Sequence, residues 1–109
     1  MKNVTPQEAF DIIEKNYNNP DFIIIDVRTA TEFNECHIKG SILLDYYSND
    51  FKKQLNELDK DKLYVVYCRS GVRSKNAMEI MHLLGFQDVC NVLGGILRWI
   101  RLSLPTSTL

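Results

Sequence analysis

One stretch limits the folds open to this chain more than any other. Tyr64 Val65 Val66 Tyr67 Cys68 Arg69 Ser70 Gly71 Val72 Arg73 Ser74 is an apolar run that ends in a cysteine and opens into a helix signal. Its first part is too short for a core helix and apolar at successive positions, which predicts a strand covered on both faces, as in a parallel sheet. Such a strand ends with unpaired backbone groups at the carboxyl edge, and the following turn can aim several N–H groups at one spot beside Cys68. The helix predicted to begin near Ser74 adds free N–H groups of its own, while Arg69 and Arg73 add two positive charges. All of these favour a thiolate over the ordinary free-cysteine pKa of about 8.5. The stretch therefore predicts an anion site built around an ionised thiol.

The other elements alternate around this strand. Thr5 Pro6 Gln7 Glu8 is a capping box with proline at the first helical position, and the helix it starts turns Ala9, Ile12, Ile13 and Tyr17 inward until Asn18 Asn19 Pro20 stops it. Val4 is a candidate for a very short opening strand. Asp21 to Val27 is a second nearly continuous β-branched run, and Ser41 Ile42 Leu43 Leu44 a third, shorter one. Ser48 Asn49 Asp50 offers caps for a helix carrying Phe51, Leu55 and Leu58. After the cysteine, Ala77, Ile80, Met81 and Leu84 form one helical stripe that ends at Gly85, where a left-handed backbone is cheap. A short strand around Val89 follows, then a tight turn at Gly94 Gly95 and a last helix with Ile96, Trp99 and Ile100 buried. Strands alternating with helices predict an α/β layer fold, a mostly parallel sheet with helices on both faces. Residues 1–104 form one domain, and 105–109 a short flexible tail.

With 109 residues the chain buries enough apolar surface to need no staple. Cys36, Cys68 and Cys90 are odd in number and lack zinc-type spacing, so neither a disulfide framework nor a structural metal is expected, and a reducing compartment fits. No secretion signal and no apolar stretch of membrane-spanning length is present, which points to a cytoplasmic protein without membrane contact. A formal net charge of -1, with basic residues dispersed, gives no electrostatic case for a nucleic acid partner.

The chain resembles the rhodanese family of sulfurtransferases in its single-domain form. The likeness runs through Asp26 Val27 Arg28 with Glu32 Phe33, then His37 Ile38 Lys39 Gly40 Ser41, then the Cys68 loop, and finally Gly85 Phe86, Asn91 and Gly94 Gly95 Ile96 with Trp99. It implies a central parallel sheet of about five strands flanked by helices on both faces. It also implies a cradle-shaped loop with Cys68 as nucleophile and its amides turned inward. Arg69, Ser70, Gly71, Val72, Arg73 and Ser74 would bind the anionic donor, with Ser74 equally suited to capping a helix. Arg28 and Glu32 correspond to an internal ion pair of the family. Asp26 and His37 belong to the same structural group, since a pre-formed thiolate needs no base. One departure stands out. Cys36 occupies a position usually held by glycine, which implies a strain of about 0.5–2 kcal/mol if the backbone there is left-handed. Cys36 is either a resolving thiol or a tolerated small replacement, and Cys90 is core packing.

These residues imply a thiosulfate sulfurtransferase working through a Cys68 persulfide, with no metal or organic cofactor. The donor is a small sulfur anion, and the acceptor is cyanide, a small thiol or a protein thiol. The expected state is a monomer, with a dimer left open. A persulfide carrier served by a protein donor is the alternative. A phosphatase or arsenate reductase is remote, because those related enzymes place five residues between cysteine and arginine and this chain places four between Cys68 and Arg73.

Overall fold

The computed structural model describes residues 1–109. The elements run β1 (Lys2–Val4), α1 (Pro6–Asn16), β2 (Phe22–Asp26), α2 (Ala30–Glu35), β3 (Ile42–Leu43), α3 (Phe51–Asn56), β4 (Leu63–Tyr67), α4 (Val72–Leu83), β5 (Asp88–Val92) and α5 (Gly95–Arg101). All strand pairings are parallel, and the sheet order β1-β5-β4-β2-β3 puts β4 in the middle. This is the five-stranded α/β sheet with helices on both faces that the two long apolar runs require, because strands without a polar face bury both.

Successive β4 side chains alternate between two cores. Tyr64, Val66 and Cys68 join a cluster with Phe51 and Leu55 of α3 and Ala77, Met78 and Met81 of α4. Val65 and Tyr67 join the opposite cluster with Ala9 of α1 and Ile96 and Trp99 of α5. Full burial of a valine-sized side chain contributes about 1.5–3 kcal/mol, so the strand that carries the cysteine is also the best-anchored one.

Several local expectations change. Tyr17, expected to turn inward, is 76% exposed because α1 ends before it, and Asp50 starts α3 without a side-chain capping bond. Helix α4 begins at Val72, capped by Gly71 with φ +102°, and not near Ser74, which lies fully buried in its first turn. The glycine takes the left-handed conformation that a side chain would resist, and this lets the helix start two residues earlier. Ile100 is 47% exposed, because so short a helix buries only the stripe of Ile96 and Trp99. The tail from Pro105, expected to fray, is held at three points. His37 and Ser107 exchange backbone hydrogen bonds in an antiparallel bridge, and the Trp99 indole N–H donates to the Pro105 carbonyl at 2.9 Å.

Candidate active site

The carboxyl edge of β4 is shaped from below by α5. The Ile96 N–H donates to the Cys68 carbonyl at 2.9 Å and the Leu97 N–H to the Arg69 carbonyl at 3.1 Å. In a trans peptide the N–H points opposite to the C=O of the same unit, so fixing these two carbonyls toward α5 turns the N–H groups of Arg69 and Ser70 away from it. Gly95 makes this clamp possible. A Cβ there would lie 2.5 Å from the Cys68 carbonyl oxygen and closer still to that of Arg69, and its φ of +59° disfavours any other residue.

Donors then converge on the sulfur. The Gly71 N–H donates to Cys68 Sγ at 3.1 Å and the Ser74 hydroxyl at 3.3 Å. Cys68 is 1% exposed, and burial pushes its thiol pKa up. The Ser74 hydroxyl and the backbone N–H groups of Ser74, Gly71 and Ser70 pull it down and win, so the thiol lies below the ordinary cysteine value. Hydrogen bonding is the larger cause of that lowering, ahead of arginine charge.

The two arginines of the loop differ. Arg73 is forked onto Glu32, Nη1 to Oε1 at 2.9 Å and Nη2 to Oε2 at 3.0 Å, and its guanidinium carbon lies 5.6 Å from the Tyr47 ring centroid. Glu32 also completes the α2 capping box with Thr29. The Arg73 fork, reinforced by Thr29, holds the Glu32 carboxyl well down, to about 2. Arg69 is exposed, and its side chain makes no hydrogen bond or ion pair. Ser70 and Val72 are exposed beside it. Nowhere do three His, Cys, Asp or Glu side chains gather as a metal site would require.

Comparison with known proteins decides the family. Residues 9–102 match the rhodanese-like domain model. This chain belongs to the rhodanese family. It is 32% identical to the thiosulfate sulfurtransferase GlpE of Glaesserella parasuis, over 94% of this chain and 89% of that one. It is 31% identical to the probable adenylyltransferase/sulfurtransferase MoeZ of Mycobacterium tuberculosis, of which it spans 25% while 94% of this chain is covered. The crystal structure of a rhodanese-related protein from Thermoplasma volcanium superposes with a TM-score of 0.82 at 27% identity, with both chains covered completely. Sulfur transfer is the class of reaction that the family assigns.

Within this rhodanese the second polar group of the sheet edge is closed on itself. Arg28 does not pair with Glu32, which is occupied by Arg73; its partner is Asp26, with Nη2 to Oδ2 at 2.7 Å and Nε within 3.0 Å of both carboxylate oxygens. The side chains are two residues apart and both buried, so the short reach beats the longer one. Arg28 Nη2 also donates to the Cys36 carbonyl at 2.6 Å. His37 is buried, its ring stacked on Phe33 with centroids 3.8 Å apart and its Nδ1 2.9 Å from the Phe33 carbonyl.

Cys36 packs against the core cluster opposite to the one that holds Cys68, so the fold does not group the two thiols. Its φ of -168° is ordinary extended backbone, and the strain expected from a missing glycine is absent. Two contributors to the site escape a sequence reading. Gly95 reads as half of a tight turn and as part of the family motif, and neither signal says that it clamps the cysteine loop. Tyr47, under Arg73, carries no signal at all.

Proposed function

We propose that this rhodanese is a thiosulfate sulfurtransferase in which Cys68 carries sulfur as a persulfide. The observation that supports the reading most is the convergence of the Gly71 N–H and the Ser74 hydroxyl on a cysteine sulfur whose pKa is lowered despite burial. The thiolate attacks the outer sulfur of thiosulfate. The S–S bond of the donor breaks, its electron pair leaves with sulfite, and Cys68–S–S⁻ remains. Donors already aimed at the reacting sulfur stabilise charge without reorganising. Arg69 is the free cation for the leaving sulfite, and Arg73, neutralised by Glu32, sets the shape of the loop while still presenting N–H donors. The acceptor, cyanide or a thiol, then takes the terminal sulfur and regenerates the thiolate. Asp26, Arg28 and His37 support the loop and take no part in the chemistry.

The fourth residue between Cys68 and Arg73 closes the loop, and no fifth is present to widen the cradle for a phosphate with its oxygens. Steady-state thiocyanate formation, with thiosulfate and cyanide both varied, tests the proposal. Parallel double-reciprocal lines are expected from a covalent intermediate, whereas intersecting lines, or no turnover from a folded protein, contradict it.

A further inference from the structure

A groove of about 450 Å³ runs beside the cysteine loop, walled by Ser70, Gly71 and Val72 on one side and Leu93 and Gly94 on the other, with Lys75 at its rim. Its surroundings are unusual in two respects. Val72 is 66% exposed, Leu93 37% and Leu97 36%, three apolar side chains gathered at one loop. Leu97 belongs there because its N–H is bonded to the Arg69 carbonyl, and Leu93 because Gly94 lies against Gly71. Scattered exposed leucines need no explanation, but a cluster around a reactive group marks a contact surface. The cations Arg69, Lys75 and Arg98 are all exposed, and none takes part in either ion pair of the molecule. The Arg98 stem packs over Gly94, which fixes its charge at the same edge. Glu79 lines the groove as the one opposing carboxylate. Beneath it, Asn91 is 1% exposed and its carboxamide oxygen has no hydrogen-bond partner, although its nitrogen donates to Asn3. An occupant that brings N–H donors suits that oxygen.

We infer that this face docks the sulfur acceptor, and that the acceptor is an extended protein segment whose cysteine is flanked by apolar and acidic residues. The inference rests on the sulfur-transfer reading and names its second substrate. Apolar neighbours of the incoming cysteine cover Val72, Leu93 and Leu97, its carboxylates meet Arg69, Lys75 and Arg98, and its backbone supplies donors to the groove. In the transfer itself the acceptor thiol gives its proton to the terminal sulfur of Cys68–S–S⁻, and the resulting thiolate attacks that sulfur of Cys68–S–SH. The new bond gives R–S–SH, the old S–S bond breaks, and Cys68 leaves as thiolate, so sulfur, proton and charge balance.

Two blocked peptides test it, one with a central cysteine between leucine and glutamate residues and a twin with lysine in place of glutamate. Neighbouring lysines lower the thiol pKa and make the twin intrinsically more reactive, so a preference for the acidic peptide cannot come from the thiol alone. On thiosulfate-loaded protein at low salt, the acidic peptide should take sulfur about 10-fold faster, with the ratio shrinking toward unity as salt approaches about 0.5 M. Arg98→Glu should reverse the preference, and Leu93→Ser should slow both peptides about 3-fold. Loading by thiosulfate and transfer to dithiothreitol should stay within about 2-fold in both variants. Equal rates for the two peptides, or a preference that ignores Arg98→Glu, overturns the inference. A concentration-dependent dimer that Leu93→Ser dissolves also overturns it, in favour of a second copy on this face. Anisotropy of the acidic peptide with serine for cysteine, bound to unloaded protein, reads docking without chemistry. If that peptide binds and no persulfide ever forms, it is the sulfur-transfer reading that fails and not the docking face.

Discussion

Two polar groups sit at the carboxyl edge of the same sheet, and they have opposite characters. Around Asp26, Arg28 and His37 the polar atoms answer one another. The carboxylate takes the guanidinium and the Arg28 N–H, the guanidinium reaches the Cys36 carbonyl, and the imidazole faces the Phe33 carbonyl. Around Cys68 the donors point at one atom, the sulfur, which the proposed sulfur transfer uses as its nucleophile. The first group contains a histidine, an aspartate and an arginine, the residue types most often suspected of catalysis, yet its carboxylate, the Arg28 Nε and Nη2 groups and the His37 Nδ1 are spent on one another and on the backbone. The second contains glycine and serine, and its donors meet on the sulfur. Direction of hydrogen bonding, more than residue type, separates a brace from a reaction centre.

Arg28→Ala tests the brace most severely. It leaves the buried Asp26 carboxylate unpaired, and the expected loss is about 3–5 kcal/mol of stability in urea unfolding, while the sulfur transferred per folded molecule stays near that of wild type. A variant as stable as wild type but inactive would dissolve the distinction between the two groups. Ser74→Ala is the mirror case. Removing one hydrogen bond that favours the charged form of the sulfur costs that form about 1.5–3 kcal/mol, so turnover below neutral pH should fall about 10-fold with little change in melting temperature. The thiolate absorbance of Cys68 should then titrate at higher pH than in wild type, since the donors that outweigh burial have been thinned.

Glu32 ties α2 to the cysteine loop through Arg73, and its titration sharpens the comparison. Its carboxyl sits at about 2 when folded, below an ordinary carboxylate. Stability from the Arg73 pair is therefore complete above the unfolded value of about 4.3 and is lost as pH falls toward the folded one. Glu32→Gln should be about 1 kcal/mol less stable at pH 7, a partly exposed pair being discounted for screening, and the two proteins should converge near pH 2 in acid unfolding. A constant gap across that window would show that charge is not what the pair supplies. The smallest effect belongs to His37→Gln. Activity per folded molecule should stay within about 2-fold, with stability reduced by about 1 kcal/mol for the lost stacking on Phe33. A bell-shaped rate profile that loses one limb in this variant would make His37 a participant after all.

What the sequence revealed follows the range of the interactions involved. Cys68, Gly71 and Ser74 lie within one short loop, and a strand feeding a helix dictates their neighbourhood, so the convergence of donors on the Cys68 sulfur could be read from the chain. The two buried runs, Phe22–Asp26 and Leu63–Tyr67, fix the parallel sheet for the same reason, since their lack of a polar face leaves one solution. The partner of Glu32 could not be read, because Arg73 lies 41 positions away and Arg28 only four. Nor could the pin between His37 and Ser107, which depends on where α5 delivers the tail. Gly95 illustrates an intermediate case. Its positive φ was foreseeable from the doubled glycine, whereas the reason that no Cβ fits, the carbonyls of Cys68 and Arg69, exists only once α5 is docked.

The most direct test of the account is the intact mass of wild type and Cys68→Ser after incubation with thiosulfate and removal of the excess, with released sulfite counted in parallel. Wild type alone should gain the mass of one sulfur, about 32 Da, with one sulfite per molecule loaded. An unmodified wild type that releases no sulfite, or a Cys68→Ser protein that gains the same mass, would contradict the assignment of Cys68 as the sulfur carrier.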